Sequence, residues 1–106
     1  MKKLGLSQRR CMRLQRLALE ISSQTKADVF TRFSPHVNEF QMDIYYDGWN
    51  SEAYPDVTIE FDDPFRCDIF YPRRNRYTPE RTSVGKAIKC LEAMRDKLSA
   101  NEAVMR

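Results

Sequence analysis

The chain has 106 residues with a formal net charge of +3, 42% apolar and 31% charged residues, which fits one domain with one core. No run of 18 apolar residues occurs, which excludes a membrane-spanning helix. The small total charge hides a sorted one: residues 1–26 carry a net +6, residues 27–72 a net −8 and residues 73–106 a net +5. Basic ends around an acidic middle suggest an electrostatic partner.

The N-terminus opens Met1-Lys2-Lys3. Arg9, Arg10, Arg13 and Arg16 then interrupt any apolar stretch, so no signal peptide is expected. Residues 7–25 are predicted to form an amphipathic helix. Ser7 is its N-cap, and Cys11, Leu14, Leu17, Ala18 and Ile21 form its apolar stripe. Arg9, Arg13 and Arg16 share another face. Residues 1–6 are expected to fray.

Val29–Phe33 reads as a short strand and Ser34-Pro35-His36 as a turn. Val37–Tyr46 is the clearest strand, with Phe40, Met42, Ile44 and Tyr46 alternating against Glu39, Gln41, Asp43 and Tyr45. Asp47-Gly48 ends it, and a polar loop runs to Pro55. Val57–Phe61 and Phe65–Tyr71 are the third and fourth strands, joined by Asp62-Asp63-Pro64. A basic loop, Pro72–Tyr77, follows. Thr78-Pro79-Glu80 carries the pattern of a helix start. Val84, Ala87, Ile88, Leu91, Met94 and Leu98 form the stripe of that helix, which should fade after Ser99. Gly85 suggests close packing on the sheet. The expected fold is α+β, in the order α-β-β-β-β-α. An antiparallel meander carries both terminal helices on one face. Glu39, Asp43, Glu60 and Asp68 then fall on the uncovered face with Tyr45 and Phe70, and Arg32 and Arg66 are their cross-strand partners.

The chemistry-bearing residues point away from catalysis. His36 stands without a second His or a CxxC pair, so zinc has no ligand set. The carboxylates, Asp62 and Asp63 included, fit a solvated sheet face better than a cation or acid–base site. Val84-Gly85-Lys86 lacks the other positions of a P-loop. Cys11, Cys67 and Cys90 each fall on an apolar face and read as buried free thiols of a cytoplasmic protein. No enzyme activity and no cofactor are expected. The basic loop is more suggestive. Arg73, Arg74, Arg76 and Arg81 are expected to surround a helix N-terminus beside Tyr71 and Tyr77, an arrangement suited to phosphate. The competing expectation is that these arginines pair with the protein's own acidic residues.

The element order, and the hairpin Pro35-His36-Val37-Asn38-Glu39-Phe40-Gln41-Met42-Asp43-Ile44-Tyr45-Tyr46-Asp47-Gly48, resemble the double-stranded-RNA-binding domain. That resemblance implies a minor-groove contact for His36, a second for Arg9, Arg13 or Arg16, and phosphate contacts for Lys86 and Lys89. The stretch from Arg32 to Trp49 is also similar in style to small phage and prophage proteins of bacteria. Two functions follow as expectations. One is a nucleic-acid or polyanion binder using the basic helices and the Arg73–Arg81 segment. The other is a protein-interaction or self-associating module using the acidic and aromatic sheet face.

Overall fold

Apolar residues at every second position of the middle segment become the inner face of one sheet. In the structure, a computed structural model that describes residues 8–34, 39–61 and 66–105, helix α1 (Gln8–Gln24) leads into strand β1 (Asp28–Ser34). Strands β2 (Glu39–Tyr45), β3 (Val57–Phe61) and β4 (Arg66–Tyr71) follow. A single 3-10 turn (Pro72–Arg74) precedes β5 (Arg76–Ser83) and helix α2 (Val84–Met105). The sheet is an antiparallel meander in the order β1-β2-β3-β4-β5.

The inner face carries Phe40, Met42 and Ile44 from β2, Val57, Ile59 and Phe61 from β3, and Cys67 from β4, all buried. Phe40 and Phe61 are direct register partners and meet edge-to-face at 5.9 Å. Leu14, Leu17 and Ile21 of α1 and Val84, Ala87 and Leu91 of α2 close the core from one side, with Ile88, Met94 and Leu98 partly buried against it. Burial of such side chains supplies most of the stabilisation, at about 1.5–3 kcal/mol each.

The α+β class, the meander and the two terminal helices are as the alternation predicts. The C-terminal third differs in one element. Thr78, Pro79 and Glu80 lie in β5 rather than in the first turn of a helix. β4 has an open edge that a neighbouring strand can satisfy, and Pro is tolerated in an edge strand or a bulge. The β4–β5 register shifts between Ile69 and Tyr71, which places the irregularity opposite the Tyr77–Pro79 stretch. The helix starts five residues later, at Val84, where the Ser83 hydroxyl accepts the Lys86 N–H at 3.1 Å, an N-cap bond. At its far end α2 continues past Ser99 to Met105. Gly85 is exposed, and a Cβ built there would meet nothing within 4 Å, so it serves no close packing. Ser7, residues 1–6 and the turns around His36 and Asp63 lie outside the described residues.

A five-strand meander makes β1 and β5 parallel. Because α1 enters β1 and α2 leaves β5, both helices run back along the sheet in the same direction. The starts of both helices therefore sit at one end of the sheet. The loop 46–56, the 3-10 turn and the C-terminal half of α2 sit at the other, where Tyr46 lies beside Met94 and Leu98.

Candidate interaction surfaces

The basic residues singled out in the sequence do not converge on one site. Arg73 and Arg74 sit in the 3-10 turn at one end of the sheet, and Arg76 opens β5 there. Lys86 and Lys89, in the first turns of α2, sit at the opposite end, with Arg9. Arg81 is on the uncovered face of β5, opposite Asp68. The helix N-terminus that the sequence pattern sets among Arg73–Arg81 starts instead at Val84, beyond a whole strand. His36 lies outside the described residues.

Most of these arginines are held by the protein's own carboxylates. Arg73 reaches Asp56 at 3.1 Å and Asp47 at 4.0 Å. Arg81 meets Asp68 at 3.3 Å. Between the helices, Arg13 reaches Glu92 at 2.8 Å and Glu20 at 3.9 Å, and Arg16 reaches Glu20 at 3.6 Å. Arg95 donates to Glu20 at 2.6 Å, a bond that holds its guanidinium above the ordinary range, with Asp96 adding to the effect. Exposed pairs of this kind are each worth little, but together they tie basic helices to acidic partners. No carboxylate is placed against Arg9, Arg74, Lys86 or Lys89 among the described residues.

The uncovered sheet face is organised in rows. Arg32, Gln41, Glu60, Asp68 and Arg81 are successive register partners across all five strands. Arg32 donates to Gln41 Oε1 at 2.9 Å. Two acids in the middle of this row are thus flanked by an arginine at each edge. In the next row Phe30, Asp43, Thr58 and Phe70 align, and the Thr58 hydroxyl donates to Asp43 at 2.7 Å. The acidic face is therefore largely satisfied internally. Among the described residues, no group of three or more His, Cys, Asp or Glu is placed to hold a metal ion, and no helix is long and apolar enough to cross a membrane.

The exposed apolar surface lies elsewhere. Phe30 packs edge-on against Tyr45 at 5.7 Å and against Trp49 at 6.3 Å. Tyr45 is buried beneath them, and its hydroxyl pKa is raised by burial and by the nearby Asp43. Phe70, the other aromatic expected on this face, is half-buried. Trp49 is seated by its backbone N–H, which donates to Asp28 Oδ2 at 2.8 Å. Gly48, at φ +90°, makes the preceding turn, a conformation that costs a non-glycine residue. Phe30 and Trp49 nevertheless remain 49% and 55% exposed. On the other side of the same strand, Leu19 is 71% exposed and lines a groove with Gln15, Arg16, Ala18, Ser22, Val29 and Thr31. Met12, seven residues earlier on α1, repeats that facing, and Phe33 closes the strand. Among the described residues, five of the six exposed large apolar side chains thus lie on α1, on β1 or against Phe30; the sixth is Tyr54.

The two sheet edges differ sharply. β5 carries Pro79 and a register irregularity, both of which discourage further pairing. β1 has neither. Its seven residues pair with β2 in one unbroken register. The Val29 N–H donates to Ser22 Oγ at 3.0 Å rather than towards β2. Alternation then turns the backbone N–H and C=O groups of Thr31 and Phe33 outward as well. Sequence reasoning misses the exposed β1 edge, although Val29, Phe30 and Phe33 place apolar side chains on both faces of one short strand. The thiols also sort differently from expectation. Cys67 is buried and Cys11 half-buried, its pKa raised by burial, but Cys90 is exposed, one residue off the stripe of α2.

No protein-family model, curated protein or solved structure matches this chain.

Proposed function

We propose that this is a non-enzymatic protein-interaction module of the cytoplasm that docks its partner along β1. The observation that carries the reading is the contrast between edges. β5 is blunted by Pro79 and a register shift. β1 is regular, turns the backbone groups of Thr31 and Phe33 away from β2, and is bordered by the exposed Leu19, Phe33, Phe30 and Trp49. A free edge supplies backbone hydrogen bonds and flanking apolar side chains supply affinity, the combination used in strand addition. Natural sheets normally protect such an edge, so one that α1 caps only at Val29, with apolar borders beyond, is explained by a partner that covers the rest.

The polyanion reading finds less support, because Arg13, Arg16, Arg73 and Arg81 face carboxylates of the same chain. Neutralising phosphates with them would require breaking those pairs. The cytoplasmic assignment rests on three free cysteines.

The test uses a photo-crosslinking side chain placed singly at Leu19, Phe33, Glu80 and Lys89, alongside titration with DNA and RNA duplexes and single strands at low salt. The reading expects discrete protein adducts from positions 19 and 33, their loss on Thr31→Pro, and no salt-dependent nucleic-acid binding. Adducts confined to position 89, together with nucleic-acid affinity that falls steeply with salt, would overturn it.

A further inference from the structure

We infer that the partner on the β1 edge is a second copy of this chain, paired β1 to β1 about a two-fold axis through Phe30. The inference rests on the proposed docking role of β1 and adds the identity of the occupant.

The argument is self-complementarity. In an antiparallel pair centred on Phe30, each residue faces the one that mirrors it about position 30. Asp28 then stands opposite Arg32 of the second copy, and Arg32 opposite its Asp28. Both residues project to the uncovered face, on the same side as Phe30. The strand sequence Asp-Val-Phe-Thr-Arg is thus a charge palindrome around an aromatic. The two Phe30 rings meet at the axis as a pair whose backbone groups point back to β2, the closer-spaced type of antiparallel pair. Opposite charges and aromatics facing across strands are the pairs that stabilise sheets.

The hydrogen-bonding parity agrees. Val29 and Thr31 are the flanking residues whose backbone groups turn outward, and in this register each faces the other across the interface. The Val29 N–H exchanges Ser22 Oγ for a carbonyl of the second copy. The ionic partners remain available. Asp28 uses Oδ2 for Trp49, leaving Oδ1, and Arg32 uses one terminal nitrogen for Gln41, leaving the rest of its fork. A pair centred on Arg32 instead sets two guanidinium groups face to face, which is unfavourable. The charges therefore favour the Phe30-centred register, which pairs Asp28 with Arg32 twice, over the Arg32-centred one. The same axis turns the outward Leu19 of α1 towards the helix of the second copy.

The experiment is sedimentation velocity on the full chain, from low to high micromolar, with two single variants, Asp28→Lys and Arg32→Glu, each checked for native unfolding cooperativity. The wild type should sediment as a monomer–dimer mixture. Each variant alone sets like charges opposite one another twice and should weaken dimerisation about tenfold or more. An equimolar mixture restores both attractions. In the mixed pair the introduced lysine of one copy faces the introduced glutamate of the other, and the native Arg32 of the first faces the native Asp28 of the second. The mixture should therefore recover the dimer. A wild type that stays monomeric, or variants whose mixture is no better than either alone, would overturn the inference. In that case adducts at positions 19 and 33 still stand or fall separately, so failure of the second copy is distinguishable from failure of β1 as a docking edge.

Discussion

Removing the Asp56 carboxylate separates a structural arginine from a ligand-binding one. Asp56 is 12% exposed at its side chain and does two things. Oδ2 accepts the Tyr46 backbone N–H at 2.8 Å, and Oδ1 meets Arg73 at 3.1 Å. Its own N–H donates to the Ile44 carbonyl at 2.8 Å, so it clamps both ends of the 46–56 loop to β2. Asp56→Ala leaves the Tyr46 N–H without its acceptor, a loss of about 1.5–3 kcal/mol for a bond to a charged group. Arg73 is 41% exposed, so its ion pair is screened and adds under about 1 kcal/mol. Urea unfolding followed by circular dichroism should therefore give about 2–3 kcal/mol for Asp56→Ala and under about 1 kcal/mol for Arg73→Ala. The double variant should show a coupling of about 0.5–1 kcal/mol that shrinks with added salt. A cost below about 0.5 kcal/mol for Asp56→Ala, or equal costs for the two single variants, would refute the clamp.

Gly85→Ala should raise stability by about 0.4–1 kcal/mol, since the position is exposed, helical and open to a Cβ; a loss in thermal unfolding would mean the glycine packs after all. A thiol reagent should label Cys90 fast, Cys11 slowly and Cys67 only on unfolding, and mass spectrometry of quenched samples reads that order. Burial raises the pKa of Cys11, Tyr45 and Tyr46, so the unfolded chain ionises first. The resulting stability is full below the unfolded thiol value near ~8.5 and is lost as pH climbs through the folded values. Tyr46→Phe should flatten that decline above about pH 10 in alkaline denaturation.

The parts of the fold legible in the sequence are those fixed by local pattern. Phe40, Met42 and Ile44 announce β2 and its inner face because period-two burial leaves a direct trace. β5 leaves no such trace. Its residues, Arg-Tyr-Thr-Pro-Glu-Arg-Thr-Ser, lack alternation, and Thr78-Pro79-Glu80 imitates a helix cap. Pairing with β4, a tertiary effect, decides its conformation. The charge sorting is legible, but its resolution is not. Arg13 and Glu92 are 79 positions apart, and no local rule brings them to 2.8 Å. The free β1 edge is hidden for the same reason, since a strand is an edge only once the order of the sheet is known.

Backbone amide exchange at Thr31 and Phe33 tests the central claim most directly, because alternation turns those N–H groups away from β2 and they lie on a different element from Lys86 and Lys89. Followed by NMR with rising protein concentration, their exchange should slow while the amides of β5 keep a constant rate. Unchanged exchange at Thr31 and Phe33, with protection appearing instead around Lys86 and Lys89 on addition of a nucleic acid, would contradict it.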